Sequence, residues 1–323
     1  MKALVTGATG FVGSHLTTAL VERGDAVTAL YRRPEARSFL ETLGAVPAFG
    51  TLADAPALSA ALDGADVVYH VAGLTSGSAA ELAAVNHAAT ARLLEACARR
   101  ATPPRFVYVS SQAAVGPSAP GVSLAEDAPC RPVTPYGASK LAGETAVRAA
   151  TRVPWTVVRP PAVYGPRDRE FLRLFQVVRR GIAPVFGTGA QQLSLVFVAD
   201  LADLLARAGR TDHATGQTYH AAHPEIVTAA GVARAAGSSV GTRPLVVPLP
   251  AFVAAPLVRL IGWTAARAGK RTVVTGEKLA EFLAPAWLLD STKAERELSW
   301  TAVYDLATGM AETARWYERE GWL

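Results

Sequence analysis

Short apolar, β-branched runs alternate with helical periodicity along the first half of the chain. Lys2 to Thr6 is one such run. It leads into the glycine-rich Gly7 to Gly13, then into a segment whose Val12, Leu16, Leu20 and Val21 share one helical face. The alternation continues. It predicts strands at 26–31, 45–49, 66–71, 105–109 and 155–159, and helices at 35–43, 55–62 and 79–100. Apolar strands separated by helices predict βαβ units around a buried parallel sheet. The fold class expected is therefore α/β, a Rossmann-type doubly wound parallel sheet. Beyond residue 159 the pattern changes. Pro160, Pro161, Gly165 and Pro166 make a loop, and later elements are shorter, with strand character at 193–198 and 217–221. The division expected is a dinucleotide-binding domain over 1–160 and a smaller, mostly helical substrate lobe over 161–323, some of whose elements return to the sheet.

Composition narrows the class. Of 323 residues, 50% are hydrophobic and 18% charged, which excludes a disordered chain and allows a sizeable core. The net charge is +5, but the Arg residues are scattered, so a nucleic-acid surface is not expected. A small anionic ligand suits this balance better. Cys97 and Cys130 form no disulfide framework, and with no leader-like segment after Met1 a reduced, cytoplasmic setting is expected. The apolar stretch from Leu245 to Trp263 is broken by Pro248, Pro250, Pro256 and Arg259, so it is read as part of a lobe rather than a transmembrane segment. Peripheral membrane contact is the lesser alternative. His213, His220 and His223 lack a completing carboxylate or thiol, so no metal is expected.

Three local patterns carry chemistry. In Thr6-Gly7-Ala8-Thr9-Gly10-Phe11-Val12-Gly13 the glycines serve a tight turn, close approach of a pyrophosphate and close helix–strand packing. The phosphates meet the positive end of the following helix. The strand–turn–helix context separates this from glycines that merely make a turn. At the end of the second strand, where a carboxylate would bind the ribose of NAD, stand Arg32 and Arg33. Two guanidiniums there can clamp a 2′-phosphate, favouring NADP(H) over NAD(H), unless both are only solvated surface cations. Finally, Thr134-Pro135 starts a helix on which Tyr136 and Lys140 lie four residues apart, on one face. A neighbouring ammonium, together with the cationic oxidised nicotinamide, is expected to lower the phenol towards the pH where it can exchange protons. Ser110 and Ser111 end the fifth strand at the sheet edge where ligands bind. Ser110 is expected to bond backbone and Ser111 to be available to a substrate carbonyl.

Together these motifs, with Val157-Val158-Arg159-Pro160-Pro161-Ala162-Val163-Tyr164-Gly165-Pro166, resemble the extended short-chain dehydrogenase/reductases, the NAD-dependent epimerase/dehydratase superfamily. The resemblance spans nearly the whole chain, since Asp290-Ser291 and Trp316-Tyr317 also look like that family's C-terminal lobe. It implies Tyr136 as catalytic acid/base, Lys140 as the residue that lowers its pKa and holds the nicotinamide ribose, and Ser111 as the catalytic hydroxyl. It implies cofactor contacts from the glycine turn, Leu52, Val71, Ala72, Gly73, Val109, Ser110, Pro160 and Val163, with Asn86 near the site. It also implies a possible homodimer through the helices at 79–100 and 134–152.

Two departures bear on the substrate. Where sugar-nucleotide epimerases and dehydratases usually carry Asn after the Arg-containing strand, this chain has Ala162. Where they usually carry Arg for a substrate diphosphate, it has Leu193. A third is Thr51 in Gly50-Thr51-Leu52, where the family commonly has Asp towards adenine. These features look closer to the 3β-hydroxysteroid dehydrogenase and dihydroflavonol-reductase-like branch. The expected function is an NADP(H)-preferring oxidoreductase interconverting a hydrophobic ketone and its secondary alcohol. The alternatives are an NAD-dependent sugar-nucleotide epimerase or dehydratase and, outside enzymes, a redox-sensing module that keeps only the cofactor site.

Overall fold

The computed structural model describes residues 1–250 and 279–323, with Phe252, Pro256 and Arg267 between them. In the first half, β1 (Lys2–Thr6), α1 (Phe11–Glu22), β2 (Ala26–Tyr31), α2 (Arg37–Thr42), β3 (Val46–Phe49), α3 (Ala55–Ala61) and β4 (Val67–His70) follow one another. They are followed by α4 (Ala79–Ala83), a π-helical turn at Ala84–Ala88, α5 (Ala89–Ala98), β5 (Arg105–Val109), α6 (Gln112–Val115), α7 (Pro135–Ala149) and β6 (Trp155–Arg159). The predicted helix over 79–100 is thus interrupted. One turn is widened by a π-bulge that leaves the apolar periodicity readable on both sides.

The second half contributes β7 (Ala162–Tyr164), α8 (Arg169–Val178), β8 (Ile182–Phe186), β9 (Gln192–Leu193), β10 (Leu195–Phe197), α9 (Val198–Ala208) and β11 (Gln217–His220). After these come β12 (Val227–Thr228), α10 (Ala229–Ser239), β13 (Leu245–Leu249), α11 (Leu279–Leu283), β14 (Ala286–Trp287), α12 (Thr292–Leu298) and α13 (Leu306–Arg319). The strand expected over 193–198 is two short strands hinged at Ser194. Its last residue instead opens α9. Of the predicted apolar stretch, Leu257, Leu260, Ile261 and Trp263 lie outside the described residues.

Seven strands form one parallel sheet in the order β11-β6-β5-β4-β1-β2-β3. The connection direction reverses between β1 and β4, and a ligand crevice opens beyond the carboxyl ends of the strands at such a point. One face packs Leu16 and Leu20 of α1 with Leu201, Leu204 and Leu205 of α9. The other packs Leu58, Leu93, Leu94 and Val147 from α3, α5 and α7. Because β4, β5 and β6 bury both faces, Val67, Val68, Phe106, Val107, Val157 and Val158 are all apolar.

β11, from the segment read as the substrate lobe, is the edge strand beside β6. A third cluster, around Phe175, Phe197, Met310 and Tyr317, holds the remaining elements together. Among the described residues no helix is long and apolar enough to cross a membrane.

Candidate active site

A cleft of about 1710 Å³ runs along the carboxyl edge of the sheet, between it and the C-terminal elements. At its centre is the turn after β1. Gly7 has φ +77°, and a Cβ there would stand 2.7 Å from the Ala72 nitrogen. A Cβ on Gly13 would stand 2.1 Å from the Gly7 oxygen. Only glycine fits both places. The turn therefore packs against the β4 loop below while leaving its outer side open as a cradle. α1 begins there with Gly10 as N-cap, no side-chain cap and no acidic residue in its first turn. An uncapped helix start in a glycine cradle fits a dinucleotide's diphosphate.

The floor is braced by a buried relay. Thr6 Oγ1 lies 2.7 Å from His70 Nδ1, and His70 Nε2 lies 2.9 Å from Thr90 Oγ1, which donates to the Asn86 carbonyl at 2.9 Å. Burial holds His70 down to about 3, so it stays neutral and joins the glycine turn to the π-turn. The Asn86 side chain accepts from Leu74 N at 2.8 Å and donates to Leu74 O and to Ser139 Oγ, both at 2.9 Å.

The helix carrying Tyr136 is placed by local chemistry. Thr134 is the N-cap, accepting from Gly137 N at 3.2 Å, and Pro135 occupies the first helical position. Gly143 lets α7 lie flat against the sheet, for a Cβ there would meet Tyr108 Oη at 2.2 Å and Asn86 O at 2.5 Å. Tyr136 and Lys140 consequently reach the cleft together. Lys140 is 4% exposed. Its Nζ donates to Val109 O at 2.6 Å and sits 4.3 Å from the centre of the Tyr108 ring.

The electrostatics depart from expectation. Burial pushes the Tyr136 phenol up to about 12. A hydrogen bond with Ser111 opposes this, and the Glu281 and Glu170 carboxylates add to it. The Lys140 ammonium is itself destabilised by burial, which brings it down to about 7 against a smaller opposing pull from Glu144.

Ser110 departs from the part expected of it, and Ser111 takes a backbone bond as well as facing the site. Ser110 donates to Glu144 Oε1 at 2.6 Å rather than to backbone. Ser111 caps α6, accepting from Ala113 N at 3.1 Å, and still reaches Tyr136. The partner of Ser110 belongs to a layer that the sequence reading missed. Glu144 receives Arg159 Nε at 2.8 Å and Nη2 at 2.7 Å, with Arg148 Nη2 at 3.0 Å. The available signal was Glu144 lying four residues beyond Lys140, on the same helical face.

The cleft brings together Thr6, Gly7, Gly10, Phe11, Val12, Gly13, Arg32, Leu52, Val71, Ala72, Gly73, Val109, Ser110, Ser111, Tyr136, Lys140, Pro160 and Val163. Arg33 is outside this set. Both arginines are exposed; Arg33 forms the N-cap position of a 3₁₀ turn, and of the two only Arg32 lines the cleft. Ala162 and Leu193 both line the cleft, as do Phe282, Trp287, Trp316 and Trp322 from the chain's far end, and Trp287 pairs with Leu193. His220 is buried, with Nδ1 near Leu124 O and Asp290 O rather than near His213 or His223.

Comparison with known proteins agrees with this geometry. The chain is 32% identical over 321 residues to a ceramide reductase of Caulobacter vibrioides, covering 99% of this chain and 95% of the relative. It is 32% identical over 233 residues to the UDP-glucose 4-epimerase of Mycolicibacterium smegmatis, covering 65% and 73%. The structure of MoeE5 in complex with UDP-glucose and NAD superposes with a TM-score of 0.79 at 26% identity, covering 99% of each chain. The model of the NAD dependent epimerase/dehydratase family matches residues 3–222. With its parallel sheet, glycine cradle and paired Tyr136 and Lys140 in one cleft, the chain belongs to that family, whose members are nicotinamide-dependent enzymes acting on CH–OH and C=O groups.

Proposed function

We propose that the protein is an NADP(H)-preferring reductase/dehydrogenase interconverting a hydrophobic ketone and its secondary alcohol. The observation that carries this reading is the apolar lining around Leu193, which pairs with Trp287 in neighbouring strands, with Ala162 and Phe282 in the same cleft. A nucleotide sugar brings a diphosphate, and these side chains offer it no charge. Glu170 and Glu281, which face the Tyr136 phenol, would repel it. The full-length likeness to a ceramide reductase supports an apolar substrate.

The bound dinucleotide supplies or accepts the hydride. The glycine turn and the start of α1 hold its diphosphate, Arg32 takes the 2′-phosphate, and Lys140 offers its remaining N–H donors to the nicotinamide ribose. Tyr136, protonated at neutral pH, donates its proton to the ketone oxygen in reduction, while Ser111 hydrogen-bonds the same oxygen and aligns the phenol.

The likeness to a UDP-glucose 4-epimerase favours a second reading, in which NAD is held permanently and the hydride returns to the same substrate. Titration of the purified protein with NADPH and NADH, followed by assay with apolar ketones, separates the two. Tighter NADPH binding and stoichiometric NADPH consumption are expected. NAD that copurifies and does not exchange would overturn the reductase reading.

A further inference from the structure

We propose that Arg167 is a cofactor-binding residue, a guanidinium carried across the cleft by the C-terminal elements to hold phosphate oxygens in the adenosine-diphosphate half of the dinucleotide. The inference rests on the dinucleotide reading above.

Arg167 lies in the turn between β7 and α8, where Asp168 N donates to Gly165 O at 3.2 Å. Its φ is +71°, and among the described residues only Ser299 is another non-glycine residue with positive φ. A side chain in that region is disfavoured, so the surroundings must hold it there. One support is visible. His15 of α1 directs Nε2 at the Pro166 carbonyl, 2.8 Å away. Burial lowers His15 to about 4, so the ring is neutral and Nε2 carries the proton that this bond needs. The C-terminal turn is thereby tied to the helix whose first residues close the glycine cradle.

The direction of the side chain is set from the other side. The Arg167 guanidinium lies 4.9 Å from the centre of the Phe39 ring on α2, and Phe39, Arg32 and the glycine turn line the same cleft. Stacking on a ring fixes the plane of the guanidinium but uses none of its five N–H donors. Among the described residues Arg167 forms no ion pair, whereas Arg23, Arg105, Arg159 and Arg210 each pair with a carboxylate.

Arg167 is half-buried, and partial desolvation lowers its pKa while Glu320 raises it only in part. A desolvated cation without a carboxylate is costly unless an anion arrives. Three sources of positive potential therefore line one cleft: the uncapped start of α1, Arg32 and Arg167. The dinucleotide is the ligand of the proposed reaction that carries phosphate groups there.

Such a residue is expected to couple the two parts of the fold. The dinucleotide would bridge the glycine turn of the sheet to a turn of the C-terminal elements, tightening the wall of the cleft beside the reaction site.

Arg167→Gly is the sharpest test, because glycine accepts φ +71° and the turn keeps its shape. The Tm of the cofactor-free variant is expected to stay at or above that of the natural protein. Dissociation constants are measured for NADPH, NADH and ADP-ribose. A loss of about tenfold or more for all three supports contact with the diphosphate, and the same loss for NADPH alone supports contact with the 2′-phosphate. Arg167→Lys is expected to recover part of the affinity, since it restores the charge without the fork. Unchanged affinity for all three ligands in Arg167→Gly overturns the proposal. Failure of the natural protein to bind any of them would instead overturn the dinucleotide reading itself.

Discussion

Two buried cations meet α7, Lys140 from within it and Arg159 from β6 against Glu144 one turn further on, and they are treated oppositely. Arg159, 2% exposed, meets Glu144 through two parallel N–H···O bonds, and that pairing raises its pKa against the effect of burial. Lys140, 4% exposed, meets a backbone carbonyl and an aromatic face, and burial lowers it to about 7. The difference separates structure from chemistry. The Arg159–Glu144 pair is satisfied within the protein, with Ser110 and Arg148 completing the carboxylate. Lys140 is held in an unfavourable state, as expected of a group whose full set of partners includes a bound ligand.

The comparison breaks first at Tyr136, where the largest effect is expected. Tyr136→Phe removes the proton that the Lys140 side of the helix is proposed to serve, and turnover should fall by about 10²–10⁴-fold. The phenol is not among the proposed phosphate contacts, so affinity for NADPH should change little. A comparable loss of affinity would mean that Tyr136 holds the cofactor instead of transferring a proton. Since burial keeps the phenol near 12, turnover in the reductive direction should not decline between pH 6 and 9 through loss of this proton. A decline in that range would reveal a phenol lowered by the bound cofactor.

On the structural side, Glu144→Ala leaves the Arg159 guanidinium buried without its carboxylate. About 3–5 kcal/mol of stability should be lost, measurable by denaturant unfolding. Glu144 is held below the usual carboxylate range by Arg159, so its contribution is present above the unfolded carboxylate pKa. It is lost as pH falls through the folded value. The natural protein should therefore lose stability in acid more steeply than Glu144→Ala. Equal slopes would place the stabilisation elsewhere.

Lys140→Met should act in the opposite sense. A lysine lowered in the folded state binds fewer protons than in the unfolded chain between about pH 7 and 10, so the natural protein gains stability as pH rises through that window. Below pH 7 the variant, free of the buried charge, should be more stable by about 1–4 kcal/mol even after losing the bond to Val109. The advantage should shrink towards pH 10. Lower stability at every pH would show that the ammonium is satisfied as it stands, and the contrast with Arg159 would vanish.

Legibility in the sequence followed the range of the interactions concerned. The turn from Thr6 to Gly13 was readable because strand, glycines and helix are consecutive and Gly10 and Gly13 pack on Gly7 itself. Tyr136 and Lys140 were readable because four residues are one helical turn. Glu144 lay on that same face, but its meaning depends on Arg159 arriving from β6, and no spacing announces which carboxylate a guanidinium will find. The π-turn around Asn86 was invisible for a different reason. Widening one turn leaves the apolar pattern on either side intact, yet it re-aims the Asn86 carbonyl, which accepts from the Thr90 and Tyr108 hydroxyls. The aromatic wall from Trp287, Trp316 and Trp322 is assembled by tertiary packing over 190 or more residues from the glycine turn, beyond the reach of periodicity.

The two adjacent arginines show the finest limit of such reading and set the smallest expected effect. As sequence, Arg32 and Arg33 are equivalent. As structure, both are exposed, but the chain leaves β2 so that Arg32 lines the cleft, while Arg33 begins the next turn outside it. Arg32→Ala should weaken NADPH by about tenfold or more and leave NADH nearly unchanged, as expected when a charge-assisted bond to the 2′-phosphate is lost. Arg33→Ala should change NADPH affinity by no more than about twofold, the residual pull of an exposed charge screened by salt. Raising the ionic strength should erase that small effect while leaving most of the Arg32 effect in place. If the two variants lose NADPH equally, both guanidiniums reach the phosphate, and Arg33 must turn into the cleft when the cofactor binds.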